Sequence, residues 1–388
     1  MPTRVLIVPD KFKGTLTGQE AAEAIANGWL LGRPQDLLEI LPMSDGGDGF
    51  GAITSRLLRA EPIFCRTVDA AHRPCEITWG WDSKTKTAII ETAAVIGLAM
   101  LPSGKFHPFE LDTFGLGAVF RAAEDRKARC CLVGIGGSST NDGGLGLARA
   151  LGWSFLDERG NEIERWIDLK DVSAIRRPPH KASVGQLDIR VAVDVQNKLL
   201  GPKGASRVYG PQKGLTPPEV ARAEAALRRL ARIAQRSGLA NRSRQPGTGA
   251  AGGLGFSLAT FLGAKLEPGF ELFAQYADLN RRLERADLVI TGEGSIDASS
   301  FMGKGVGQIA TKCRRLKIPC IGLGGRIDLG QARARVFSRL AAITAITTLQ
   351  KAIAEPAFWL SRLAERIAKD PSLRTGLNSA AGRLRSAR

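Results

Sequence analysis

The strongest constraint on this chain is a pattern found near both of its ends: a short apolar run, a glycine-rich turn bearing acids or lysines, then a helical stretch. At the start, RVLIVPD passes through PDKFKG (9–14) into GQEAAEAIANGWLLG, and LLEILPMS passes through SDGGDG (44–49) into FGAITSRLLRA. After about residue 285 the pattern resumes with ADLVITGEG, a helix near GVGQIATKCRRLK, the run IPCIGLGG, a helix near DLGQARARVFSRL, and AAITAITT. Alternating β and α segments predict a parallel sheet, whose ligand-binding loops gather at the carboxyl ends of its strands.

The middle of the chain reads differently. Within residues 63–112, CRTVDAAHRPCEITWGWDSKTKTAIIETAAV alternates apolar and polar side chains and breaks at turn formers such as DSKTK, which is antiparallel texture. Residues 113–284 mix helices, the apolar run CCLVGIGG and several glycine-rich loops. At 388 residues the chain exceeds what one core usually fills. The expected fold is α/β: a discontinuous Rossmann-like parallel-sheet domain of residues 1–62 and 285–388, with a larger inserted α/β domain containing mixed sheet at 63–284. A cleft between two such domains is a natural place for an active site.

Several function classes drop out on composition. The first apolar run ends at once in Pro9 and Asp10, too short for a signal peptide, and no run of about 18 apolar residues is present to span a membrane. Six cysteines without a C-x-x-C pair point to the reducing cytoplasm. Three histidines, His72, His107 and His180, at unrelated spacings argue against a zinc site or a histidine-based hydrolase. The net charge of +17 would suit nucleic acid or an anionic substrate. Much of it is arginine in the helical stretch 219–244 and the tail 382–388, and with two tyrosines and 6% aromatics there is little to stack bases upon. Solvated helix faces are the expected reading, with neither nucleic acid nor membrane as partner.

Five glycine-rich segments carry the chemistry: PDKFKG, SDGGDG, GIGGSSTNDGG (134–144), VDVQNKLLGPKGASRVYGPQKG (193–214) and TGEGSID (291–297), the last followed by MGKG. Glycine lets backbone N–H groups approach a phosphate. Carboxylates beside such loops can share Mg²⁺ with substrate phosphates, and lysines neutralise the transferred phosphoryl group. A single Asp-Gly would be an ordinary turn; GIGGSSTNDGG says more, because it follows an apolar strand and opens an apparent helix, LGLARALG. There is no G-x-x-x-x-G-K-[ST], and GTGAAG (247–252) lacks the preceding strand of a dinucleotide turn, so it reads as a close-packing or substrate loop. That absence also excludes an NAD-dependent oxidoreductase.

GIGGSSTNDGG, GASRVYGPQKG, GTGAAGGLG and DLVITGEGSID, in this order, resemble the bacterial glycerate kinase family, over nearly the whole chain from PDKFKG to GLGGRID. The resemblance implies transfer of the ATP γ-phosphoryl to D-glycerate, giving 2-phosphoglycerate, with ATP and Mg²⁺ as cofactors and a homodimer as a compatible assembly. A related hydroxy acid, 3-phosphorylation, or a sugar-acid sensor without turnover stay open as alternatives. The sequence departs from the family pattern at Asp48 and Phe50, at Asp69-Ala70-Ala71-His72, in DTFGLGAV (112–119), at Ser299 and at Gly305.

Candidate roles follow from the loops and the resemblance. Asp194 ends the strand-like run IRVAVD and is the first choice for general base; Asp142 is the rival. Lys13 and Lys213 are expected to contact phosphate or the glycerate carboxylate. Asp45, Asp194, Asn197 and Asp297 are the metal candidates. Ser138, Thr140, Asn141, Gly136, Gly137, Gly249, Gly252, Glu293 and Lys304 are expected to bind substrate or phosphate.

Overall fold

The computed structural model describes residues 2–179, 187–301, 303 and 305–372. Its strands are β1 (Arg4–Pro9), β2 (Leu37–Ile40), β3 (Glu61–Val68), β4 (Pro74–Asp82), β5 (Thr87–Glu91), β6 (Cys130–Gly134), β7 (Ser154–Leu156), β8 (Ala174–Arg176), β9 (Asp188–Val193), β10 (Lys265–Pro268), β11 (Leu288–Asp297), β12 (Cys320–Asp328) and β13 (Arg339–Ala342). The chain divides into two compact units, one built from the segment up to Asp45 together with that from Phe270 onward, the other from Gly46–Gly269.

In the first unit a parallel sheet runs in the order β2-β1-β11-β12-β13. Chain order reverses between β1 and β11, which places the loops after these two strands at the switch point where open α/β sheets bind ligands. The helix Gly18–Gly32 forms because Thr17 and Glu20 cap its start reciprocally while Ala21, Ala22, Ile25 and Trp29 recur on one buried face. It packs on the helix Pro356–Ala368 around a core of Val5, Ile7, Trp29, Ile290, Ile321, Leu360 and Ile367. Gly28 makes this possible: a Cβ there would lie 2.0 Å from the Ser361 carbonyl oxygen.

The second unit holds a six-stranded mixed sheet, β10-β9-β6-β5-β4-β3. Strands β5, β6, β9 and β10 are mutually parallel, while β3 and β4 add antiparallel ribbons where the alternating texture was read. The parallel register aligns Glu91, Gly134 and Ala192, so three loops leave one edge together. A core of Trp79, Trp81, Ile90, Phe120, Val133 and Val191 covers the sheet, and a second core of Trp153, Phe155, Trp166, Leu227, Leu230 and Phe256 lies under the helix Pro217–Arg236. That helix buries Val220, Ala223, Leu227 and Leu230, and leaves Arg222, Arg228, Arg232 and Arg236 exposed on its other side.

The α/β class, with one parallel and one mixed sheet, is as the sequence predicts. Two local expectations are corrected. DLGQARARVFSRL holds only a one-turn helix, Gln331–Ala334, and the strand begins at Arg339 rather than within AAITAITT, which turns instead into a 3₁₀ segment at Ile343–Ala345. The strand pairs with β12 from Ile321↔Arg339 to Gly324↔Ala342, and Ser338 leads into it, its N–H donating to Cys320 O and its hydroxyl accepting from Cys320 N. The short strands β7, β8 and β10 also escaped reading, because three or four residues carry no visible period. The tail 382–388 lies outside the described residues.

Gly28→Ala should test the helix packing against propensity. Alanine favours a helix interior by about 1 kcal/mol, yet the clash with Ser361 predicts a net loss of roughly 2–4 kcal/mol by urea unfolding. A stabilised variant would contradict the packing.

Candidate active site

In the second unit the glycine-rich loops meet at the carboxyl edge of the parallel strands. Gly136 N donates to Gly46 O at 3.1 Å, joining SDGGDG to GIGGSSTNDGG. Glu91, at the end of β5, accepts from Gly49 N and Gly51 N, both at 2.9 Å, and so caps the helix Phe50–Leu58. Gly143 N donates to Gly252 O at 3.0 Å, joining GTGAAGG to the same cluster. Gly252, at φ 64°, is held so close that a Cβ would lie 2.0 Å from Thr140 O, which accounts for a glycine there as close packing.

Asp142 is the anchor of this cluster. Fully buried, its carboxylate accepts four hydrogen bonds: from Thr113 N (3.0 Å) and Thr113 Oγ1 (2.7 Å), and from Gly144 N (3.1 Å) and Gly146 N (3.0 Å). Burial, reinforced by the nearby charge of Asp112, raises its pKa to about 6 against the lowering pull of these donors. Thr113 Oγ1 in turn accepts from Leu147 N, so Asp142 and Thr113 together start the helix Leu145–Ala150.

Above it, Lys213 donates to Ser138 Oγ at 3.0 Å and to Thr140 O at 2.6 Å. The residue as a whole is only part-buried, but its ammonium is enclosed, and desolvation lowers its pKa to about 7 despite the opposing charge of Asp142. Asn141 Nδ2 donates to Ser206 Oγ at 2.8 Å. The buried Thr140 Oγ1 and Asn141 Oδ1 have no hydrogen-bond partner among the described residues, the condition in which native proteins usually engage water or ligand.

Asp194 follows β9 directly and is exposed. Three residues on, Asn197 ties the loop down: its carbonyl accepts from Gly249 N (2.9 Å), its Nδ2 donates to Lys203 O (2.8 Å), and its Oδ1 accepts from the Tyr209 hydroxyl (2.7 Å). Two of the segments that depart from the expected pattern, 69–72 and 112–119, also meet, since His72 Nε2 and Asp112 Oδ2 stand 2.9 Å apart and Asp112 N donates to Ala70 O. That contact raises the His72 pKa.

The first unit gathers a separate acidic group at its switch point. Asp10, Asp45 and Glu293 are all buried; burial first, then the charges of Asp45 and Glu293, push the Asp10 carboxyl up to about 7, while a hydrogen bond from Lys11 N opposes this. Lys13 is exposed, and its backbone runs beside Gly294. Asp297 accepts from Ser299 N at 2.7 Å and from Ser295 Oγ at 3.2 Å, a turn-capping arrangement. Lys304 lies outside the described residues. Among the described residues no group of three or more His, Cys, Asp or Glu side chains is arranged to hold a metal by itself.

The structure thus joins Gly136, Gly137, Ser138, Thr140, Asn141, Asp142, Lys213, Gly249 and Gly252 in one unit with Asp194 and Asn197, and groups Asp45 with Glu293 in the other. The sequence reading passed over Asp10, Thr113, Glu91 and Tyr209. Asp10 carried a usable signal, because it ends VLIVPD as Asp194 ends IRVAVD.

Comparisons with known proteins follow the same lines. The model of the glycerate kinase family matches residues 5–371. A protein of Halalkalibacterium halodurans named glycerate kinase is 36% identical, over 86% of this chain and 87% of its own length. The glycerate 2-kinase of Escherichia coli K12 is 34% identical, over 90% and 93%. A crystal structure of a Salmonella typhimurium LT2 chain, provisionally named glycerate kinase 2, superposes with a TM-score of 0.83 at 32% identity and covers 97% of this chain and 100% of that one.

Lys213 makes a pH-dependent prediction. Its folded pKa of about 7 lies below the ordinary 10.5, so the cost of burying it charged is full below pH 7 and fades as pH rises toward 10.5. Lys213→Met should therefore be more stable than wild type near neutral pH, by on the order of 1–2 kcal/mol after the two lost hydrogen bonds are counted. Denaturant titrations should show that advantage shrinking as the pH is raised; an advantage that grows with pH would contradict the buried-cation reading.

Proposed function

The chain belongs to the glycerate kinase family, and from that premise we propose that it transfers the γ-phosphoryl group of Mg-ATP to the 2-hydroxyl of D-glycerate, giving 2-phosphoglycerate. The observation that carries this reading is the placing, within one unit, of an exposed carboxylate at a strand end, Asp194, and an enclosed ammonium, Lys213, on loops that converge at one sheet edge.

Asp194 serves as the general base that takes the proton of the attacking hydroxyl, the role for which an accessible carboxylate is suited. Asp142 is the weaker choice because its four accepted hydrogen bonds commit it to the loop and helix start. Lys213 supplies positive charge to a phosphate or carboxylate oxygen. An arriving anion would raise its pKa again, which favours the charged form of the lysine when substrate is present. Asn197, whose amide is committed to Lys203 and Tyr209, holds the loop that carries Asp194.

The residues fit Mg²⁺ in the way that ion usually binds, through one or two carboxylates with phosphates and water completing its shell. Asp45 is the place assigned to it, because three buried carboxylates, Asp10, Asp45 and Glu293, lie together in one unit, and their mutual repulsion, which adds to burial in raising the Asp10 pKa, would be relieved by a cation. When bound, Mg²⁺ neutralises phosphate charge.

The test is ADP release with D-glycerate as acceptor. Wild type should turn over and stop when EDTA is added, and Asp194→Asn, folded as judged by its melting curve, should lose activity on the order of 10²–10⁴-fold. Binding of D-glycerate without any ADP release would sink the kinase reading, and an active Asp194→Asn would sink the assignment of the base.

A further inference from the structure

We propose that Tyr209 is a positioning residue for phosphoryl transfer, its hydroxyl fixing the side-chain amide of Asn197 and through it the loop that presents Asp194. The inference rests on the reading of Asp194 given above and adds to it a residue outside the catalytic set.

The geometry determines the direction of every bond in this small network. Lys203 O is a carbonyl and can only accept, so the group facing it at 2.8 Å must be Asn197 Nδ2. The amide cannot then be flipped, and Oδ1 faces Tyr209. Because Oδ1 only accepts, the phenol at 2.7 Å must be the donor.

The network also spans the segments that matter. Asn197 is tied through its carbonyl to Gly249 on the GTGAAGG loop and through its amide to Lys203. Tyr209 closes the short helix Ala205–Tyr209, whose buried Ser206 receives Asn141, and four residues further on the chain delivers Lys213. A single hydroxyl therefore joins the strand-end loop of Asp194 to the helix that leads to Lys213. Phenylalanine would fill the same space and remove only that link.

The experiment compares wild type, Tyr209→Phe, Asn197→Ala, the double variant and Asp194→Asn in steady-state ADP release with D-glycerate, alongside melting curves. Tyr209→Phe is expected to lower kcat roughly 5- to 50-fold with KM changed less than about threefold and the melting temperature nearly unchanged. The double variant should be no worse than Asn197→Ala, because both act through one amide. Activity of Tyr209→Phe within about twofold of wild type, additive losses in the double variant, or a collapse of its melting temperature that makes the bond a merely structural one, would each overturn the inference. If Asp194→Asn keeps its activity, the underlying reading of the base fails whatever Tyr209→Phe does; if Asp194→Asn is inactive and Tyr209→Phe is not impaired, only the role of Tyr209 fails.

Discussion

The buried carboxylate of Asp142, satisfied by four donors, is the constraint around which the second unit's loops are arranged. An ionised carboxylate out of contact with water is costly unless its lone pairs are filled, and here two donors come from Thr113, far away in sequence, and two from the first turn of the following helix. Satisfying this one group therefore joins the segment 112–114 to the loop 138–144 and starts the helix Leu145–Ala150. The same anchoring leaves Ser138 and Thr140 turned to receive the ammonium of Lys213, and the charge below supports that cation in a place where solvent cannot.

The structure keeps several charges where burial opposes them. Asp10 and Asp142 are pushed up and Lys213 is pushed down, each by desolvation before any other cause. Groups held in this way cost stability, and they concentrate where charge must be matched to a ligand. The surface charge is a different matter. The exposed arginines of the helix Pro217–Arg236 sit opposite its apolar stripe, and several arginines of the helix are drawn into local contacts: the part-buried Arg229 with Val172 O, and the exposed Arg228 with Glu224 and Arg222 over the ring of Phe109.

Much of the architecture was legible because its signals are local. RVLIVPD, ADLVITGEG and IPCIGLGG are apolar runs ending in glycine or acid, and they became β1, β11 and β12; GQEAAEAIANGWLLG became a helix over the same residues. The antiparallel ribbon around Pro74–Asp82 kept its alternation visible. What escaped reading was set by contacts distant in sequence. Thr113 matters only because Asp142 folds onto it, Glu91 only because Gly49 and Gly51 turn their N–H groups toward it, and Tyr209 only because Asn197 lies across from it. The strand Arg339–Ala342 is set by its pairing with β12, whose partners lie 18 residues away.

The central claim, phosphoryl transfer from Mg-ATP to the 2-hydroxyl of D-glycerate, is tested most directly by proton-coupled phosphorus NMR of the product formed from that pair. A phosphate ester on the secondary carbon couples to a single proton, so the account predicts a new ester resonance split as a doublet while the γ-phosphate signal of ATP declines. A triplet, from an ester on the terminal CH₂, or release of inorganic phosphate with no ester signal, would contradict it.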